Sequence, residues 1–155
     1  MLLKKSLEIL KKREFVNVAT CDFSGRPNAA PKLILRIDDN VIYLIDYTIG
    51  RTWTNLKLNP QASLSFMDQD ALTGYQLNCS VELLESGDVY EKLVHELREK
   101  EIDLSAKRVI EGVLRGKKHD DFELAISEKF VIFKVNVNEA VSIGLRSGIK
   151  REQVK

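Results

Sequence analysis

The sequence predicts a mainly β protein with flanking helices, built as a six-stranded antiparallel barrel. Two observations carry that expectation. Short apolar or alternating segments follow one another from Phe15 to Leu83, and most are joined by turn-like stretches too short for parallel crossovers. A helical pattern then separates the fifth strand from the sixth and has a single apolar face, so it packs outside the barrel. So small a barrel has little internal room, and a ligand is expected on its outer wall or at a subunit interface.

Leu3, Leu7 and Leu10 mark one face of an opening helix, and Lys11-Lys12-Arg13 suit its negative C-terminal end. Phe15 to Cys21 is the first strand. Asp22 to Pro27 is a turn in which Gly25 supplies a positive φ. The second strand, Asn28 to Ile37, contains Pro31, which has no N–H and so requires an edge or a bulge. An edge proline that blocks aggregation gives the same pattern. Asp38-Asp39-Asn40 turns the chain into the third strand, Val41 to Asp46, and a brief helix runs from Arg51 until Pro60 ends it.

Ala62 to Asp68 alternates as a fourth strand, and Gln69 to Gly74 is a loop. Tyr75, Leu77, Cys79, Val81 and Leu83 share one face of a fifth, which makes Cys79 a small core residue. Asp88 and Glu91 read as the capping box of a helix, and Ser105 as the start of another with Val109, Ile110, Val113 and Leu114 inward. Arg115 to His119, followed by Asp120-Asp121, reads as a solvated connection. Phe130 to Val137 is the last strong strand, with Val141 to Gly144 a short addition. A single domain therefore spans residues 1–145 with a helical insert at 88–124, and 146–155 form a loose polar tail.

With 155 residues, 44% apolar and 30% charged, the chain can bury a core of its own. A net charge of +1 offers no general attraction to nucleic acid or acidic membranes. No leader and no membrane-spanning segment is read, and two cysteines without close spacing fit a reducing cytoplasm. Two histidines make a histidine-rich metal site impossible and a catalytic triad poorly supported, so no metal site and no catalytic residue is assigned.

The stretch Tyr43 to Pro60 carries the chemistry. Thr48, Arg51 and Thr52 crowd hydroxyls and a cation around Gly50, where a helix begins. A helix start has unpaired N–H groups and a positive dipole end, and a guanidinium fork suits phosphate. The stretch reads as a phosphate monoester pocket. The alternative is a plain helix start, with Thr48 or Thr52 as its cap and Arg51 in water.

The order of elements resembles the pyridoxamine 5′-phosphate oxidase-like family, the FMN-binding split barrels. The matching features are Phe15-Val-Asn-Val-Ala-Thr20, Asp22-x-Ser-Gly-Arg-Pro27, Pro31 within the second strand, Asn40-Val-Ile-Tyr-Leu-Ile45, and Arg51-Thr-Trp-Thr-Asn-Leu-Lys-Leu-Asn-Pro60. The resemblance covers residues 8–84 well and 125–143 loosely. It implies FMN at a homodimer interface, with the phosphate on Thr48, Arg51 and Thr52. Asn28, Ala30, Pro31 and Lys32 would line the isoalloxazine edge, and Asp46 and Tyr47 would continue that wall. Lys57 or Lys32 would be the second cation, Lys32 would face the ring's N1–O2 edge, and Trp53 would cover the ribityl chain, the interface or the core. The function implied is a flavin-dependent oxidoreductase that meets a small-molecule redox substrate or electron donor. The C-terminus lacks the aromatic and arginine-rich ending of true pyridoxamine phosphate oxidases, which argues against vitamin B6 oxidation. The alternatives are a non-enzymatic flavin, haem or deazaflavin carrier or sensor, and a structural barrel with an empty site.

Overall fold

The computed structural model describes residues 1–114 and 130–155, with backbone alone for 104, 105, 108, 109 and 112–114. The elements in order are α1 (Leu2–Leu10), β1 (Phe15–Cys21), β2 (Pro27–Asp38), β3 (Val41–Asp46), α2 (Arg51–Leu58), β4 (Gln61–Asp68), β5 (Thr73–Leu84), α3 (Asp88–Leu114), β6 (Val131–Gly144) and β7 (Gly148–Gln153). Every strand pairing is antiparallel. The sheet runs β3-β2-β1-β4-β5-β6-β7, and pairing of β3 with β6 closes six strands into a barrel from which β7 projects. The predicted barrel is present.

Alternation decides what fills it. Val16 and Val18 of β1, Ile42 and Leu44 of β3, Leu64 of β4, Leu77 of β5, and Phe133 and Val135 of β6 meet inside, with Leu7 and Leu10 of α1 and Leu56 of α2 closing the ends. Each such side chain contributes about 1.5–3 kcal/mol on burial. Cys79 belongs to this cluster, as its position on the apolar face of β5 predicts. A second cluster lies outside the wall, where Leu93 and Leu97 of α3 cover Leu33, Leu35, Tyr43, Ile45 and Ile132.

β2 carries a bulge between Ile34 and Arg36. A bulge leaves backbone groups unpaired, and Lys100 of α3 donates to the carbonyls of Ile34 and Leu35 there. Arg36 lies 2.6 Å from Glu96 of α3 and over the Tyr43 ring. The insert is thus fastened to the barrel at the β2 bulge.

Four expectations need correction. Residues 148–153 are not loose: they form β7 against the extended end of β6, and Glu152 accepts from the amides of Leu2 and Leu3 at the start of α1. Val141 to Gly144 is not a separate addition but the continuation of β6. Ser105 starts no helix, because α3 runs unbroken through it. Asp88 is the first helical residue rather than the cap, a position taken by Gly87 at φ 99°. The connection at 115–124, with His119, lies outside the described residues.

Candidate functional site

Strand β2 is longer than its partner. It pairs with β1 from Pro27 to Leu33, but with β3 only from Leu33 onward. Residues 27–32 therefore have one edge bound and one edge unpaired by any strand among the described residues. The Ile34 amide donates to Glu14 O on the β1 side. By alternation the amides of Lys32, Ala30 and Asn28 point the same way, and the backbone groups of Pro31, Ala29 and Pro27 point to the open edge. Two of those three residues have no N–H. The edge presents carbonyls and a single amide, that of Ala29, which blunts it against strand addition and leaves one donor beside several acceptors. The prolines thus remove all donors of this edge but one.

The side chains divide by face. Asn28, Ala30 and Lys32 turn inward, and Pro31 is exposed. Asn28 Nδ2 donates to Thr52 Oγ1 at 3.1 Å, which ties β2 to the first turn of α2. Deeper in, Asn55 Nδ2 donates to Thr20 Oγ1 at 3.1 Å with both side chains buried. These two bonds seat α2 across the end of the barrel. Neither Asn55 nor Thr20 is among the residues that the sequence assigns to the site, although the asparagine stands inside the segment Arg51 to Pro60 that carries the resemblance.

Lys32 and Asp46 meet. Nζ lies 2.7 Å from Oδ1, with the side chains 7% and 0% exposed. The same Oδ1 accepts from Thr48 Oγ1 at 3.0 Å and from the Thr48 amide at 3.3 Å. Ile49 follows at φ 43°. A β-branched residue there is strained by about 1–3 kcal/mol and persists only where its surroundings hold it. Tyr47 packs edge-on against Phe130, with centroids 6.4 Å apart.

The start of α2 is open. Gly50 occupies the cap position and no side chain caps the helix, so neither Thr48 nor Thr52 serves as the plain cap. No acidic residue lies in the first turn, and Arg51 is exposed beside the unpaired amides. The arrangement can accept an anion by helix amides and one guanidinium. The two expected companion cations are elsewhere: Lys32 is held by Asp46, and Lys57 lies 4.1 Å over the Trp53 ring, whose Nε1 donates to Glu85. Trp53 is half-buried against the core.

On the bound side of β2, across that strand from the open edge, the outer faces of β1 and β4 form a groove of about 520 Å³ lined by Arg13, Phe15, Asn17, Ser65 and Met67. Asn17 stands directly opposite Pro31 in the register. An exposed apolar band continues from it across Met67, Ile143 and Ile149. Among the described residues there is no cluster of side chains that could hold a metal ion.

A closed antiparallel barrel with an open strand edge beside an uncapped helix start has the architecture of a split barrel. The sequence profile of the pyridoxamine 5′-phosphate oxidase family matches residues 2–140, and the chain belongs to that family. Solved structures agree on the fold. A Clostridium acetobutylicum protein related to general stress protein 26, of the pyridoxinephosphate oxidase family, is 19% identical with a TM-score of 0.68, over 99% of this chain and 94% of that one. An FMN-binding protein from Nostoc punctiforme related to pyridoxamine 5′-phosphate oxidase is 16% identical with a TM-score of 0.58, over 99% and 93%. A heme-binding protein from Mycobacterium smegmatis is 15% identical with a TM-score of 0.66, over 99% of this chain and 58% of that one. No curated protein matches the sequence.

Proposed function

We propose that the chain is an FMN-binding flavoprotein of the oxidoreductase type that works as a homodimer in the cytoplasm. The observation that carries the reading is the uncapped start of α2, with Arg51 exposed at it, beside the unpaired edge of β2. Arg51 and the first amides of α2 hold the phosphate, joined by the Thr52 hydroxyl, which accepts from Asn28 and keeps its own proton to give. The Ala29 amide and the carbonyls of Ala29 and Pro31 suit the mixed acceptors and donor along an isoalloxazine edge. A bound flavin supplies hydride or electron transfer without a protein nucleophile. The protein's part is to place the ring and exclude water from one of its faces.

The exposed apolar band over Phe15, Met67, Ile143 and Ile149 supports a second copy as the cover of that face. No helix among the described residues is long and apolar enough to cross a membrane. The substrate is read as a small redox molecule or electron donor. Replacing Arg51 by Ala tests the phosphate assignment. Loss of FMN binding supports it, and unchanged binding contradicts it. Bleaching of bound flavin by reduced nicotinamides then separates an enzyme from a carrier.

Haem is the second reading, favoured by the heme-binding neighbour from Mycobacterium smegmatis. His95 is exposed on α3, 3.4 Å from Glu99, and His119 lies outside the described residues. A Soret band on adding haem, with no retained FMN, would favour this reading over flavin.

A further inference from the structure

We infer that Asp46, neutralised by Lys32, is the positioning residue of loop 47–50, and that this pair sets the preference for a phosphorylated over an unphosphorylated flavin. The inference rests on the phosphate reading above. Both donors of Thr48, its amide and its hydroxyl, point at Asp46 Oδ1, at 3.3 and 3.0 Å. Thr48 therefore has no donor left for an anion, and the sequence-based role of phosphate ligand passes from it to the helix start. What those two bonds do instead is fix the turn that leads into α2. Ile49, one residue on, holds a positive φ that a β-branched side chain adopts only under constraint. Arg51 and the uncapped amides follow directly.

The electrostatics require a partner. A buried carboxylate within a few residues of an anion site would oppose the anion unless its charge were compensated. Lys32 provides the compensation from β2, so the wall strand that borders the open edge also holds the phosphate loop in place. Bonds to an ionised acceptor are roughly twice as strong as neutral ones, which explains why the device is a carboxylate with a lysine rather than an amide.

The test compares binding of FMN and of riboflavin by wild type and Asp46→Asn, with hydrogen exchange of residues 47–51 measured on ligand-free protein. A positioning role predicts that Asp46→Asn weakens FMN about tenfold, although it removes a negative charge near an anion, and leaves riboflavin unchanged. Exchange in 47–51 accelerates by more than the uniform loss of protection that a one-sided break of the buried pair brings to β1, β4 and β5. Thr48→Val, at an exposed side chain, does the same without disturbing the buried pair. An FMN affinity that rises or stays constant, an equal loss for both flavins, or unaltered exchange in 47–51 would overturn the inference. Should wild type bind neither flavin, the flavin reading fails, and the exchange comparison still decides the positioning role.

Discussion

Lys32 Nζ lies 2.7 Å from Asp46 Oδ1 at the end of the barrel that α2 covers, with neither side chain more than 7% exposed. The contact depends on the bulge in β2. Near the turn Asp38 stands opposite Val41 and Arg36 opposite Tyr43, and continuation of that register would set Leu33 beside Asp46. The extra residue between Ile34 and Arg36 shifts the pairing, so that Leu33 meets Ile45 and the next step brings Lys32 to Asp46. One irregular residue thus converts an apolar hairpin into one that carries a buried ion pair.

Breaking that pair from one side is costly, because it leaves a charge without water or partner. Lys32→Met should destabilise the protein by about 3–5 kcal/mol, and the double change Lys32→Met with Asp46→Leu should recover most of that loss. Urea denaturation of the three proteins checks this. A single-variant loss below about 1 kcal/mol would mean that the two charges do not depend on one another.

The seat of α2 rests on Asn55 and Thr20. Asn55→Ala removes the amide that donates to a buried hydroxyl and should cost about 1–3 kcal/mol. Fraying should concentrate at residues 50–59 in hydrogen exchange, with β5 and β6 unaffected. Uniform loss of protection would show instead that α2 and the barrel unfold as one unit.

Burial pushes the Cys79 thiol from its ordinary value of 9.0 up to about 12. The folded protein therefore holds this proton more tightly than the unfolded chain does. The resulting stabilisation is complete below pH 9.0 and is lost as the pH rises through about 12. Cys79→Ala should flatten the alkaline part of the stability curve. In the native protein at neutral pH a small alkylating reagent should modify the half-buried Cys21 and spare the buried Cys79. Equal reaction of both thiols would contradict this placement.

How far the sequence alone reaches differs by element. β1, β3, β4 and α2 follow from alternation, turn residues and Pro60, because each carries its own local signal. β7 carries none: Gly148 to Gln153 has no apolar alternation, and it is a strand because β6 extends far enough to pair with it. The unbroken α3 is hidden by its surface, where Val89, Ile102 and Ile110 are exposed and blur any single apolar stripe. Within the site, the open helix start and the unpaired stretch around Pro31 are both legible. The engagement of Lys32 by Asp46 is not, since it depends on a bulge that no turn residue announces. Thr48 reads in the sequence as a donor at the helix start, but both its donors go to Asp46, a direction that only the position of Asp46 decides.

The most direct test of the flavin assignment is the visible absorption spectrum of the purified protein, taken before and after addition of FMN and desalting. The account predicts retained yellow flavin bands that bleach with a reductant, in a protein that elutes as a dimer. A folded dimer that retains no flavin would contradict it.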